Sequence, residues 1–244
     1  LKNNSLLIKN YKDKLTKIDL KKYKRIFVIG FGKASSLMGQ EIEKILGNKI
    51  DNGLIISTKK IKLKRIKVIQ GTHPMPCKKN VIATKKIVNM IKDLNKDDLA
   101  ICLISGGGSS LLFYPKISLK KYLKIINQHF ASGIDIKRLN LIRKKYSHVK
   151  AGKLSKLTKA NIVSLIFSDV VGDDLSTIAS GPTVGKKLKN TKNILLLNNS
   201  VALESMGEKA ISLNLKPVIY SNKIKGEARL VGKKLLRNKK SCLL

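Results

Sequence analysis

Six short apolar runs punctuate the chain: RIFVIG (25–30), NGLIIS (52–57), RIKVIQ (65–70), LAICLI (99–104), NIVSLIFSD (161–169) and NILLLN (193–198). Each is too short for a buried helix and rich in β-branched residues, which marks strands, and near-continuous apolarity marks strands covered on both faces. Between them the apolar residues recur at helical spacing. Ala34, Leu37, Met38, Ile42 and Leu46 follow the first run, Ile82, Ile87, Val88, Ile91 and Leu94 precede the fourth, and SVALESMGEKAISL (200–213) follows the sixth. Strands alternating with helices dictate an α/β protein, a Rossmann-like α/β/α sandwich with a mostly parallel sheet. In such folds ligands gather outside the carboxyl ends of the strands, so the residues just after each run carry the functional question.

The remaining elements follow from local signals. Ser118 is placed to cap a helix through Tyr122, Leu123, Ile126 and Phe130, with Ser132–Gly133 as its stop, and Asp135 to cap another through Leu139, Ile142 and Arg143. KPVIYS (216–221) reads as a further strand and GEARLVGKKLL (226–236) as a helix. The segment GPTVGKK (181–187) is the best boundary. It divides residues 1–187, an N-terminal Rossmann-like unit, from 188–244, a linker and the start of a second α/β domain.

The formal charge of +36 raises the prospect of an anionic partner. Arg stands only at 25, 65, 138, 143, 229 and 237, and the other basic residues are lysines spread along the chain. Nucleic-acid readers lean on the bidentate guanidinium, so a solvated lysine surface is favoured over a basic groove. A basic nucleic-acid- or anion-binding α/β protein without catalytic activity stands as the alternative function. Cys77, Cys102 and Cys242 are too scattered for a disulfide framework or a zinc site, which makes a reducing cytoplasm the expected setting. No apolar run approaches the roughly 18 residues of a membrane span.

Four loops at strand ends carry chemistry. In GFGK (30–33) a dinucleotide fingerprint fails, because Ser35 stands where the third glycine belongs and no acid ends the next strand. A phosphate loop of the Walker type fails because Phe27 stands where its first glycine belongs. What survives is a turn with Gly32 and with Lys33 at a helix start, unfavourable for the helix dipole unless an anion binds there. SGGGSS (105–110) has more glycines than a turn requires, and with two hydroxyls it reads as a phosphate or carboxylate cradle. GTHPMP (71–76) places His73 in a proline-stiffened loop, as a structural hydrogen-bonder or as a site residue. SDVVGDD (168–174) concentrates Asp169, Asp173 and Asp174 in a chain with only 15 acidic residues. Such oxygen density suits Mg²⁺, which takes one or two carboxylates plus phosphate oxygens, and one of the pair 173–174 can also cap a helix. A carboxylate–cation site beside a glycine cradle points to phosphoryl transfer.

The ordered set GFGKAS, GTHPMP, SGGGSSLL, NLIRKKYS, KAGKL, SDVVGDD and SGPT resembles the glycerate 2-kinase family, whose members carry a C-terminal leucine-rich domain known as MOFRL. The resemblance covers about residues 24 to 230. It implies transfer of the γ-phosphate of Mg-ATP to the 2-hydroxyl of D-glycerate, giving 2-phosphoglycerate. It also implies a cleft between two α/β domains, small-molecule partners rather than membrane or nucleic acid, and a homodimer as a conceivable assembly. Matched motif by motif, Lys33, Arg143 and Asp169 are the catalytic candidates. Gly32, His73, Ser105, Gly106, Gly107, Gly108, Ser109, Asn140 and Lys144 are the substrate and phosphate candidates, and Asp169, Asp173 and Asp174 those for Mg²⁺. Cys77 stands where the family usually has Asp, Lys145 where His is common, Ala151 and Lys153 in place of Gly and Arg, and Val171 in place of Pro. The family continues into GGE-T and GGRNQE motifs, and this sequence stops at Leu244. The expectation is therefore a truncated kinase with little activity on its own.

Overall fold

The computed structural model describes residues 4–133 and 136–236. Its centre is a six-stranded, wholly parallel sheet in the order β5-β4-β3-β6-β7-β8, formed by Arg25–Phe31 (β3), Asn52–Ser57 (β4), Ile66–Gln70 (β5), Asp98–Ile104 (β6), Asn161–Phe167 (β7) and Thr191–Leu197 (β8). A separate antiparallel hairpin, Ser5–Lys9 (β1) with Leu15–Asp19 (β2), precedes it. The expected α/β/α sandwich is thus present, and all six expected strand runs lie in the sheet.

Side-chain alternation divides the core. One face carries Phe27, Ile29 and Phe31 of β3 and Ala100, Cys102 and Ile104 of β6, covered by Ala83, Ile87, Val88 and Ile91 of helix α2 (Lys78–Lys92). The other carries Val28, Ile55, Ile101 and Leu165, covered by Met38, Ile42 and Leu46 of α1 (Ser35–Leu46) and by Leu6 and Ile8 of the hairpin. After β3 the chain winds outward through β4 and β5, then α2 returns it to β6 on the opposite flank of β3. Strand order therefore reverses between β3 and β6, and their carboxyl ends open a crevice. At the other end Arg25 holds Asp98 through two hydrogen bonds of 2.9 and 2.7 Å, tying the starts of these two strands together.

A short helix α3 (Gly108–Leu111) leaves the glycine loop. Helices α4 (Leu119–Ala131) and α5 (Ile136–Lys145) form a smaller core of Tyr122, Ile126 and Leu139 with Phe113. Ser118 does receive the Lys121 amide, as expected of a cap; Asp135 lies outside the described residues.

Three expectations change. The boundary after Lys187 falls between β7 and β8 of one sheet, so a unit ending there would lose a paired edge strand; β8 and α6 (Asn199–Ser212) continue the first unit instead of opening a second. KPVIYS forms no extended strand, only a single bridge position at Ile219, and Val218, Ile219 and Tyr220 are each about half exposed. The β1–β2 hairpin was not anticipated, since lysines interrupt its apolar alternation. A last helix, α7 (Ala228–Leu236), matches the expected one. Among the described residues no helix is long and apolar enough to cross a membrane.

Candidate active site

The β3 and β6 turns are welded together. Ser105, 2% exposed, ends β6, and its hydroxyl accepts the Ala34 amide at 3.0 Å and lies 3.3 Å from the Ser35 hydroxyl. The Lys33 amide donates to the Gly106 carbonyl at 2.8 Å. Gly32, at φ 145°, packs so closely on Ser105 that no side chain fits between them. Gly32 and Ser105, both expected at the phosphate site, are thus committed to joining the turns.

The residues beyond the weld converge on the surface of the loop. A β-carbon at Gly107 would lie 3.0 Å from His73 Cδ2 and 3.1 Å from Lys33 Cγ, and Gly107 itself is left-handed at φ 83°. A β-carbon at Gly106 would fall 2.6 Å from the Asp169 carboxyl carbon. Two bare glycines are therefore ringed by an exposed cation, an imidazole and a carboxylate contributed by three different loops. The amides of Gly106 and Gly107 donate to no backbone carbonyl among the described residues. Asp169 likewise enters no ion pair there.

Electrostatics extends the constellation to α5. Modest burial, then the positive charges of Lys33 and Arg143, lower the His73 pKa below its ordinary 6.5, while Asp169 pulls it upward. The net shift favours the neutral imidazole. Arg143 is half-buried; burial lowers its pKa, and the Tyr122 hydroxyl opposes that shift. Its guanidinium also reaches Asn140 Oδ1 at 3.4 Å. Asn140 is buried, takes the Ser180 hydroxyl on the same oxygen at 3.3 Å, and so orients its neighbours from beneath. Ser109 and Ser180 share a hydroxyl contact of 2.9 Å, which locks the far end of the loop.

The acidic trio does not converge. Asp173, at φ 54°, accepts the Asn198 amide group at 2.7 Å and thereby braces the β8–α6 junction. Asp174 accepts the Thr177 and Ser176 hydroxyls and the Ser176 amide; these bonds, the one from Thr177 foremost, hold its pKa below 3.8, and Lys144 adds a smaller pull. Among the described residues no three His, Cys, Asp or Glu side chains gather as a metal site. The expected three-carboxylate Mg²⁺ site is corrected accordingly: only Asp169 faces the glycine loop, because the left-handed backbone at Gly172 and Asp173 turns the chain away.

Two residues of the site escaped the sequence reading. Asn80 is wholly buried; its Oδ1 receives the Thr72 amide at 3.0 Å and its Nδ2 donates to the Thr72 and Ser110 carbonyls, both at 2.9 Å, tying the His73 loop to the glycine loop. Its place three residues after the Cys77 cap was the available signal. Lys150 lies buried beneath α3; it opens the KAGKL motif, but in a lysine-rich chain its residue type gave no sign of burial.

Known proteins place this geometry. The model of a family described as "Domain of unknown function (DUF4147)" matches residues 2–213. A glycerate 2-kinase of Pyrococcus horikoshii is 32% identical over 85% of this chain and 57% of its own length. A putative hydroxypyruvate reductase of Agrobacterium vitis is 33% identical over 85% of this chain and 64% of its own length. The crystal structure of a Thermotoga maritima glycerate kinase superposes with a TM-score of 0.76 at 25% identity, covering 87% of this chain and 61% of that one. The chain thus spans about three fifths of the length of the relatives it matches.

Proposed function

Since the chain belongs to the glycerate 2-kinase family, we propose that it phosphorylates D-glycerate at the 2-hydroxyl with ATP, at the glycine loop between β3 and β6. The convergence of Lys33, His73 and Asp169 on the bare backbone of Gly106 and Gly107 carries this reading. Phosphoryl transfer asks mainly for positioning and charge neutralisation, and an open face of amides beside Lys33, with the charge of Arg143 near enough to act on His73, supplies both. The amides and the lysine bind the transferring phosphoryl group, and the guanidinium of Arg143 offers a planar fork to a phosphate or carboxylate. Lys144 would add positive charge at the rim. His73, held neutral, accepts a hydrogen bond from a hydroxyl at its free ring nitrogen. In the transfer the hydroxyl oxygen bonds to the γ-phosphorus, the bridging oxygen leaves on ADP, and the hydroxyl proton departs to an acceptor.

Asp169 fits Mg²⁺ as a single carboxylate that enters no ion pair among the described residues, beside a cradle that a side chain would fill. The ion would neutralise phosphate charge. The reductase named among the relatives gains no support from the turn. Ser35 occupies the third-glycine position with its hydroxyl donating to the Leu103 carbonyl at 3.0 Å, and β4 ends in Ser57 rather than an acid.

Calorimetric titration with Mg-ATP tests the reading. Saturable binding is expected, weakened at least about tenfold in Lys33→Ala and in Asp169→Asn, with circular dichroism unchanged. Absence of binding, or undiminished affinity in both variants, contradicts it, as does oxidation of a nicotinamide cofactor with hydroxypyruvate.

A further inference from the structure

Lys150 is 1% exposed, and no described carboxylate pairs with it. Its ammonium donates instead to two carbonyls, of Gly108 at 3.0 Å and of Ala179 at 2.9 Å. Gly108 follows the two bare glycines. Ala179 opens a run of three left-handed residues, Ala179, Ser180 and Gly181, at φ 51°, 63° and 60°. Three successive donors take that run's three carbonyls: Lys150 Nζ that of Ala179, the Ala151 amide that of Ser180 at 3.0 Å, and the Gly152 amide that of Gly181 at 2.7 Å. A β-carbon at Gly108 would lie 2.7 Å from that of Ala179, so loop and run are in direct contact.

A left-handed Ala or Ser is unfavourable by roughly 1–2 kcal/mol, and a buried ammonium without a carboxylate is unfavourable as well. Burial, with the charge of Arg143 adding to it, pushes the Lys150 pKa well below the ordinary lysine range. A strut that served packing alone would be better made of an apolar chain of the same length. Its Nζ end lies one residue from glycines whose amides meet no backbone carbonyl among the described residues.

We propose that Lys150 is a positioning residue of the phosphate site: through its two hydrogen bonds it holds the Gly108 carbonyl back against the left-handed run, keeping the Gly106 and Gly107 amides available to an anion. This rests on the reading of the glycine loop as the phosphate site. Lys150 itself touches no substrate.

The test titrates the protein with tripolyphosphate and follows circular dichroism and thermal melting in parallel. Lys150→Met, close in length and uncharged, is expected to keep the fold and to lose at least thirtyfold in affinity. Lys150→Ala is expected to lose similarly and to recover in millimolar ethylammonium chloride but not in ethanol, a response that a purely structural role would not give. Wild-type affinity in a folded Lys150→Met, or equal recovery in ethanol, overturns the proposal. Unfolding of both variants makes Lys150 a strut of the core and overturns it too. Failure of the wild-type protein to bind tripolyphosphate refutes the site reading itself, and Lys33→Ala, expected to lose affinity whatever Lys150 does, separates the two failures.

Discussion

Gly106→Ala isolates the function of the loop from its stability. The backbone at 106 lies outside the left-handed region, so an alanine there meets no conformational penalty and reduces the entropy of the unfolded chain, a gain of about 0.4–1 kcal/mol. What it meets is the Asp169 carboxyl group, whose carbon lies 2.6 Å from the new methyl position. Ordinary contact begins near 3.5 Å and Asp169 Oδ2 lies closer still than the carbon, so the carboxylate must retreat by more than about 1 Å. The obstacle is the far end of an exposed side chain, and its retreat disturbs no core. Net stability should stay within about 1 kcal/mol of wild type. A 1 Å displacement of a positioned catalytic group is worth on the order of 10²-fold in rate. Thermal melting together with Mg-ATP titration and phosphorus NMR of the transfer to D-glycerate measures both quantities. An unchanged melting temperature with Mg-ATP affinity and turnover falling towards those of Asp169→Asn is expected. Wild-type binding and turnover, or a loss matched by an equal fall in stability, refutes the placement of Asp169 at the reaction centre.

Other expectations follow from the same contacts. Gly107→Ala, at φ 83° and 3.0 Å from His73, should lower stability by about 1–2 kcal/mol as well as binding, so denaturant melts will separate it from Gly106→Ala. Ala151, at φ 54°, occupies a left-handed position, and Ala151→Gly should raise stability by about 0.5–1 kcal/mol in urea titration. Asn80→Ala would strand the buried Ser110 carbonyl and the Thr72 amide and should cost about 2–4 kcal/mol, read in the same titration. The Arg25 hydrogen bonds hold the Asp98 pKa below 3.8, so this carboxylate's contribution is present above that value and lost as pH falls through its lower folded value. Melting temperature against pH should therefore fall below about pH 4 more steeply for wild type than for Asp98→Asn.

The sheet was legible because parallel strands covered on both faces write themselves as apolar runs, and the runs at 52–57 and 99–104 map directly onto β4 and β6. The hairpin was not, because Lys9, Lys14 and Lys17 dilute a strand buried on one face only. KPVIYS has a strand's composition but pairs no further than a bridge at Ile219, and how far a segment pairs is not encoded in a local pattern. At the candidate site, Lys33, His73, Gly106, Gly107 and Asp169 come together because each lies just beyond a strand's carboxyl end on one side of a sheet whose order reverses there. Asp173 and Asp174 misled because residue type marks oxygen density, whereas the turn at Gly172 decides where the oxygens point. Ser105, Asn80 and Lys150 act through hydrogen bonds to residues 30 to 71 positions away at their farthest, and nothing local marks such partners.

Amide chemical shifts of the isotopically labelled protein titrated with Mg-ATP test the central claim most directly. The resonances of Lys33, Gly106 and Gly107 are expected to move together and saturate, with the His73 ring following, while those at the Arg25–Asp98 end of the sheet stay still. Saturable shifts confined to any other surface, with the glycine loop unmoved, would contradict it.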